Sequence, residues 1–169
     1  MVEIMPFGKY IGDSVEQIVL KDYNYFTWMH KIISSHYVKE RFDFVEHVVN
    51  NFISQKPCSL DDNPAQHISI YNGYDNYRGS SQGSLYCSSD CFNNDPKILT
   101  IKAVLEPLQF RTALSSTKSD TNQLVKIMAN CMGIKEGRKT KEYLEDFFNN
   151  VKVYENKDKK ENELIEKLF

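Results

Sequence analysis

The sequence contains few features of a secreted, membrane-spanning or catalytic protein. It has four cysteines in 169 residues, which is few for a secreted scaffold held by disulfides. No apolar run approaches the roughly 20 residues of a membrane-spanning helix, and the N-terminus carries no signal-like apolar stretch. P-loop and dinucleotide-binding motifs are both absent. We therefore expect an intracellular protein, cytoplasmic or nuclear, without membrane contact, and we favour a non-enzymatic role.

An excess of positive charge is also missing. Lysine and arginine total 21 against 23 acidic residues, for a net charge of -2 and an isoelectric point near 6.1. Because the chain as a whole is not basic, any contact with nucleic acid has to come from a local patch. Hydrophobic residues make up 41%, with ten tyrosines and ten phenylalanines, so the composition predicts a folded protein with a substantial core.

Residues 1–55 form the first predicted unit. Gly8 and Gly12 lie among short strand-like pieces and predict a tight hairpin. Asp13 or Ser14 can cap a first helix over residues 15–20. Two more helices are predicted, one from about residue 22 and one over about 38–54. The first of these two has apolar residues at helical spacing that predict a buried face, namely Tyr25, Phe26, Trp28, Met29, Ile32 and Ile33.

Residues 56–169 form the second predicted unit, which could also be continuous with the first. A loop over 56–66 precedes predicted strands at 67–71, 84–87 and 98–105, with a turn-rich segment at 72–83. Ser119 or Asp120 can cap a helix that ends at Gly133, and Thr140 can cap a last one. The predicted fold class is α+β: an N-terminal hairpin and helix module, central short antiparallel strands and a helical C-terminal third.

One motif in the first unit resembles a known small domain. It consists of Met5-Pro6-Phe7-Gly8-Lys9-Tyr10-Ile11-Gly12, then Ile18, Asp22-Tyr23 and Tyr25-Phe26-Thr27-Trp28-Met29. About 33 residues resemble the C-terminal domain of exodeoxyribonuclease X-like proteins and the related quorum-sensing-regulated virulence factors. Ile11 stands where that family usually has lysine, and Phe26 and Met29 stand where leucine is common. The resemblance implies an accessory role in nucleic-acid metabolism without catalysis, since the metal-binding Asp-x-Glu of the nuclease partners occurs nowhere in this chain.

The residues of this motif allow a structural and a functional interpretation. In the first, Phe7, Tyr10, Ile18, Tyr25 and Trp28 exist to form an aromatic cluster. In the second, Lys9 contacts a phosphate and Tyr10 stacks on a base.

Two other segments could contact nucleic acid. Lys135, Arg138, Lys139 and Lys141 surround the turn before the last helix, where they bind a phosphate or simply face solvent. The segment with Tyr71, Tyr74, Tyr77 and Arg78 could stack on a base, and it suits a protein partner equally well.

Metal chemistry is suggested at two places. Cys87 and Cys91 have a spacing found in structural zinc sites, with Cys58 and His67 as the nearest further ligands; the alternative is two unlinked reduced thiols. Glu155 and Lys157 form a Glu-x-Lys element like that of restriction-type nucleases, which also reads as a charged helix end.

The leading hypothesis is a non-catalytic accessory protein that binds nucleic acid or a nucleoprotein complex. Its proposed contacts are Lys9, Tyr10, Arg78, Arg138 and Lys139. The alternative is a protein–protein interaction module, an inhibitor or adaptor from a virus or an intracellular bacterium. A third hypothesis is a cryptic metal-dependent enzyme, with zinc at Cys87 and Cys91.

Overall fold

The computed structural model describes residues 4–71, 83–98 and 103–154 and shows the expected α+β fold. Six helices have the bounds α1 Val15–Lys21, α2 Tyr23–Ile32, α3 His36–Asn51, α4 Ser89–Asn94, α5 Lys118–Met132 and α6 Lys141–Asn150. The strands are β1 His67–Tyr71, β2 Leu85–Tyr86 and β3 Ala103–Pro107, and a 3-10 helix spans Phe110–Ser115. Within these ranges no helix combines the length and apolar character needed to span a membrane.

Side-chain caps explain where most of the helices begin, although α3 has no such bond at Ser35. Ser14 and Gln17 form a capping box at the start of α1, and Thr140 caps α6 through the Tyr143 N–H. Helix α5 begins earlier than predicted, after Thr117, whose hydroxyl accepts from the Asp120 N–H. The reason is that the first turn of α5 is polar and exposed, so apolar periodicity does not mark it. Gly133 ends α5 with φ 97°, as expected of a glycine in the left-handed region.

The N-terminal hairpin is a closed loop held at its base. Ile4 and Ser14 form an isolated antiparallel bridge. The Met5 N–H donates to Asp13 O at 2.8 Å, and the Gly12 N–H donates to Met5 O at 2.9 Å. Residues 7–12 between these bonds are turns and bends. The predicted hairpin is therefore a compact loop closed at its base, and residues 7–12 do not form two paired strands.

The three strands form one antiparallel sheet in the order β2-β1-β3. Strand β1 has the predicted bounds, and β2 lies inside the predicted range of 84–87. The prediction for the third strand was wrong at its start, because Ile98 belongs to a turn in which its N–H bonds Asp95 O at 2.9 Å. Pro107 is the last residue of β3 and pairs with His67; residues 99–102 lie outside the described ranges.

Most of the buried apolar side chains of both predicted units belong to one cluster, which runs from Met5 to Phe148. Helix α1 contacts α5 and α6 as well as α2 and α3. The boundary at residue 55 between two units therefore remains a prediction from the sequence. Two residues of the predicted α2 face are exposed, since Trp28 and Ile32 are 53% and 52% accessible, and Tyr25 is half-buried. Helix α2 buries only a narrow stripe of Tyr23, Phe26 and Met29.

Candidate functional site

The loop of the motif packs against Tyr25 of α2. Gly8 has φ 87°, and a Cβ there would overlap the Tyr25 hydroxyl, so the loop can approach only with glycine at this position. The Lys9 N–H donates to the same hydroxyl at 3.2 Å. The Tyr10 ring meets the Tyr25 ring edge-on, with 5.0 Å between centroids. Contacts with Tyr25 inside the protein are therefore sufficient to explain the residues around Gly8, without a ligand.

Asp22 accepts hydrogen bonds from several polar groups of the motif. Its carboxylate accepts from Lys9 Nζ at 2.9 Å, from the Tyr10 hydroxyl at 3.0 Å and from the Tyr25 N–H at 3.0 Å. Partial burial acts to raise the pKa of Asp22, but the bonds from Lys9, the Tyr25 N–H and Tyr10 outweigh it and lower that pKa. The same bond with Asp22 raises the pKa of Lys9. Lys9 and Tyr10 thus have a structural function in the protein by itself, and a phosphate would have to compete with Asp22 for the ammonium.

Exposed apolar side chains lie on the same loop and helix as this network. Phe7 and Ile11 on the loop are 48% and 68% exposed, and Trp28 and Ile32 lie one turn apart on α2. The Trp28 ring lies 5.4 Å from that of Tyr25, which connects the helix face to the loop. We call Phe7, Ile11, Trp28 and Ile32 the N-terminal apolar surface.

The basic residues before α6 and at its first position form a second surface, which we call the basic loop. Its members are Lys135, Arg138, Lys139 and Lys141. The first three are exposed and Lys141 is half-buried. None of the four makes an ion pair with another residue in the part of the chain that the structure describes. Gln17 holds the backbone of this loop by donating to Lys139 O at 2.9 Å.

The two sets of predicted contact residues lie at opposite ends of α1. Lys9 and Tyr10 bind Asp22, which follows the helix, whereas Lys139 is held by Gln17 in the first turn. A helix of seven residues is about 10 Å long. Both sets could therefore touch one extended ligand, but they do not form one pocket. Arg78, with Tyr74 and Tyr77, lies outside the described residues, as do Glu155 and Lys157; of Tyr71 only the strand position is described.

Thiols and a carboxylate from separate segments converge at the end of the sheet. The ligand atoms of Cys58, Asp61, Cys87 and Cys91 all lie within 4.8 Å of one another. The Cys87 and Cys91 sulfurs are 3.4 Å apart, and their thiols donate to Asp61 Oδ2 at 3.3 and 3.4 Å. We call these four residues the thiol cluster.

The hydrogen bonds of the thiol cluster change the acidity of its members. The N–H of Asn63, followed by the Cys87 thiol, lowers the pKa of Asp61 to about 2. The interaction with the Cys87 thiol raises the pKa of Cys91 to about 12. In the protein by itself, Asp61 is therefore the negatively charged member of the cluster, and Cys91 is a protonated thiol at neutral pH.

The sequence analysis identified three of the four members of the thiol cluster and missed Asp61. His67, which we had considered as a ligand, is not in the group; it lies on β1. The available signal was the position of Asp61 three residues after Cys58, a spacing that lets two side chains of one turn converge. Helix α4, which carries Cys91, was also missed, because its six residues bury no side chain and show no apolar period.

Comparison of the chain with models of known protein families, with curated proteins and with solved structures found no match. The resemblance to the exodeoxyribonuclease X-like C-terminal domain therefore remains a prediction that rests on the motif residues.

Proposed function

We propose that this protein is a non-catalytic accessory protein that binds nucleic acid, alone or within a nucleoprotein complex, through the basic loop. The observation that carries the proposal is the presence of four cations within residues 135–141, none in an ion pair with another described residue. Unpaired cations can neutralise phosphates without first breaking an internal contact. Elsewhere, Lys9, Lys21 and Arg41 are already paired with acids.

The loop is also anchored in a way that suits binding. The bond from Gln17 to Lys139 O ties it to α1, and the Lys135 N–H bonds the Tyr143 hydroxyl of α6 at 3.4 Å. A loop that is ordered before binding loses less conformational entropy when a ligand arrives. Arg138 and Lys139 are therefore the primary contacts in this proposal, and Lys9 and Tyr10 are secondary contacts beyond the other end of α1.

Fluorescence anisotropy with labelled single- and double-stranded DNA and RNA at two salt concentrations tests the proposal. Arg138→Glu with Lys139→Glu should weaken binding at least about tenfold and reduce the salt slope for duplex DNA by about 2. Lys118→Glu with Lys126→Glu makes the same charge change at exposed positions of α5 and serves as the control. Equal losses in both double variants would assign the effect to net charge, and absence of binding at low salt would refute the proposal.

A protein partner is the second candidate, favoured by the N-terminal apolar surface. Its four members are all about half exposed or more, and exposed apolar patches often mark protein–protein contacts. This candidate predicts a stoichiometric protein partner that survives nuclease treatment in a pull-down. Trp28→Glu should abolish recovery of that partner, whereas the double variant of the basic loop should retain it. Tyr37→Glu, at a position 75% exposed on α3, is the control.

A further inference from the structure

We propose that Cys58, Asp61, Cys87 and Cys91 form a tetrahedral binding site for one Zn²⁺ ion that stabilises the fold. This inference is independent of the nucleic-acid proposal. Three thiolates and one carboxylate are a ligand set that zinc accepts, and four protein ligands are typical of structural zinc sites. Among the described residues this is also the one group of three or more such side chains close enough to hold a metal ion.

The distances agree with such a site. A Zn–S bond of ~2.3 Å and a Zn–O bond of ~2.0 Å imply about 3.8 Å between two sulfurs and about 3.5 Å between sulfur and oxygen in a tetrahedron. Cys87 and Cys91 are 3.4 Å apart, and their distances to Asp61 Oδ2 are 3.3 and 3.4 Å. Shifts of a few tenths of an ångström would therefore complete the geometry for these three ligands, and Cys58 Sγ lies within 4.8 Å of each of them.

The first pair of ligands comes from the turn before β1. Pro57 and Pro64 form a bridge, and the Cys58 N–H donates to Asn63 O at 2.8 Å. Inside this turn the Leu60 N–H points at Cys58 Sγ at 3.5 Å, and the Asn63 N–H donates to Asp61 Oδ1 at 2.9 Å. The second bond uses Oδ1 and leaves Oδ2 directed at the two thiols. The turn thus fixes both side chains toward one point.

The second pair of ligands comes from the far end of β2. Cys87 follows β2 directly, and Cys91 lies in α4, whose cap Ser88 accepts from the Cys91 N–H at 3.3 Å. Ser59 connects the two halves, since its N–H donates to Leu85 O at 2.7 Å and its hydroxyl accepts from the Leu85 N–H at 3.1 Å. These bonds hold the pairs face to face by protein contacts alone, so the site is preformed.

The packing around the site supplies a reason for a metal there. Cys58 and Tyr86 are buried, yet neither belongs to the main hydrophobic cluster. Strand β2 has two residues, and α4 buries none of its side chains. Apart from Leu85 and Tyr86, this segment buries little apolar surface and so gains little from the hydrophobic effect. One ion that joins the turn at 57–64 to β2 and α4 compensates for this deficit.

The ligand set also identifies the metal. Thiolates favour zinc over magnesium and calcium, which take oxygen ligands. All four ligands come from the protein, so no position is left for a substrate, and the role is structural. Binding replaces the S–H protons of the cysteines, which pass to solvent; no electron is transferred.

Metal analysis and cobalt substitution of the full chain test the proposal. The purified protein should contain one zinc per chain. After chelation, added Co²⁺ should give the intense visible absorption of a tetrahedral ion and a thiolate charge-transfer band. Asp61→Asn and Cys91→Ser should each weaken binding at least about 10–100-fold, since loss of even an outer-shell partner costs that much.

Two variants control for the substitutions themselves. Asp62→Asn alters the exposed neighbour of Asp61, and Cys131→Ala removes a buried thiol that is not in the cluster; both should retain one zinc. If Cys91→Ser fails to fold, the conservative variant Asp61→Asn and the measurements on the unmodified chain still test the proposal. The proposal is overturned by a purified chain without metal and without the cobalt spectrum, by iron in place of zinc, or by unchanged affinity in Asp61→Asn and Cys91→Ser.

Discussion

Replacing Arg41 with methionine should destabilise the protein severely, because it leaves a buried carboxylate without a counter-ion. Arg41 on α3 donates from Nε to Glu16 Oε1 at 2.6 Å and contacts the same oxygen through a second nitrogen. Its third nitrogen donates to Asn149 Oδ1 on α6 at 3.0 Å. The Glu16 side chain on α1 is 1% exposed. One guanidinium therefore connects three helices that lie far apart in the sequence.

The magnitude follows from the burial of Glu16. Removing one partner of a buried ion pair costs about 3–5 kcal/mol, because the remaining charge is desolvated without compensation. Small domains have about 5–15 kcal/mol of stability in total, so Arg41→Met should remove a large part of it. Replacing both partners by methionine should be much milder, since an apolar pair of similar volume is often neutral in exchange for a buried ion pair.

Urea denaturation followed by circular dichroism measures this effect. With an m-value of about 2 kcal/mol/M, the midpoint of Arg41→Met should fall by about 1.5–2.5 M. Lys39→Met changes an exposed cation on the same helix and should stay within about 0.5 kcal/mol of the wild type. A loss below about 1 kcal/mol in Arg41→Met would contradict the reasoning, as would a double variant with Glu16→Met that is no more stable than the single one.

Two further predictions concern the N-terminal motif and use the same denaturation assay. Asp22→Ala should cost about 2 kcal/mol, because it removes the cap on the Tyr25 N–H and the bonds from Tyr10 and Lys9. Because the pKa of Asp22 is lowered in the folded state, this stabilisation is present above the unfolded pKa of about 3.9 and is lost as the pH falls through the native pKa; a gap to the wild type that widened in acid would refute the assignment. Gly8→Ala should cost about 1–2 kcal/mol, since alanine is strained at φ 87°; an unchanged midpoint would mean that the loop is not required to adopt this conformation.

Local chemistry was sufficient to predict most elements of the fold. A capping hydroxyl followed by apolar residues at helical spacing marks α1 and α6, and a glycine ends α5. These signals act between residues within a few positions of each other, so they can be read without the fold. The same reading failed at α4, where no apolar period exists, and at the start of the third strand, where residues 95–98 form a turn instead.

The candidate sites depended on contacts between residues that are distant in the sequence. The helical spacing of apolar residues in α2 predicts a wide buried face. Only the packing of the neighbouring elements decides that Trp28 stays half exposed. Lys9 reads as a free cation until the fold places it on Asp22. Asp61 has no distinguishing context until the sheet brings it to Cys87 and Cys91. The sequence alone therefore determined five of the six described helices, most of the strands and the residue types available for binding. Tertiary structure decided which charges are already paired and which ligands converge, because through-space distance is a property of the whole packed chain.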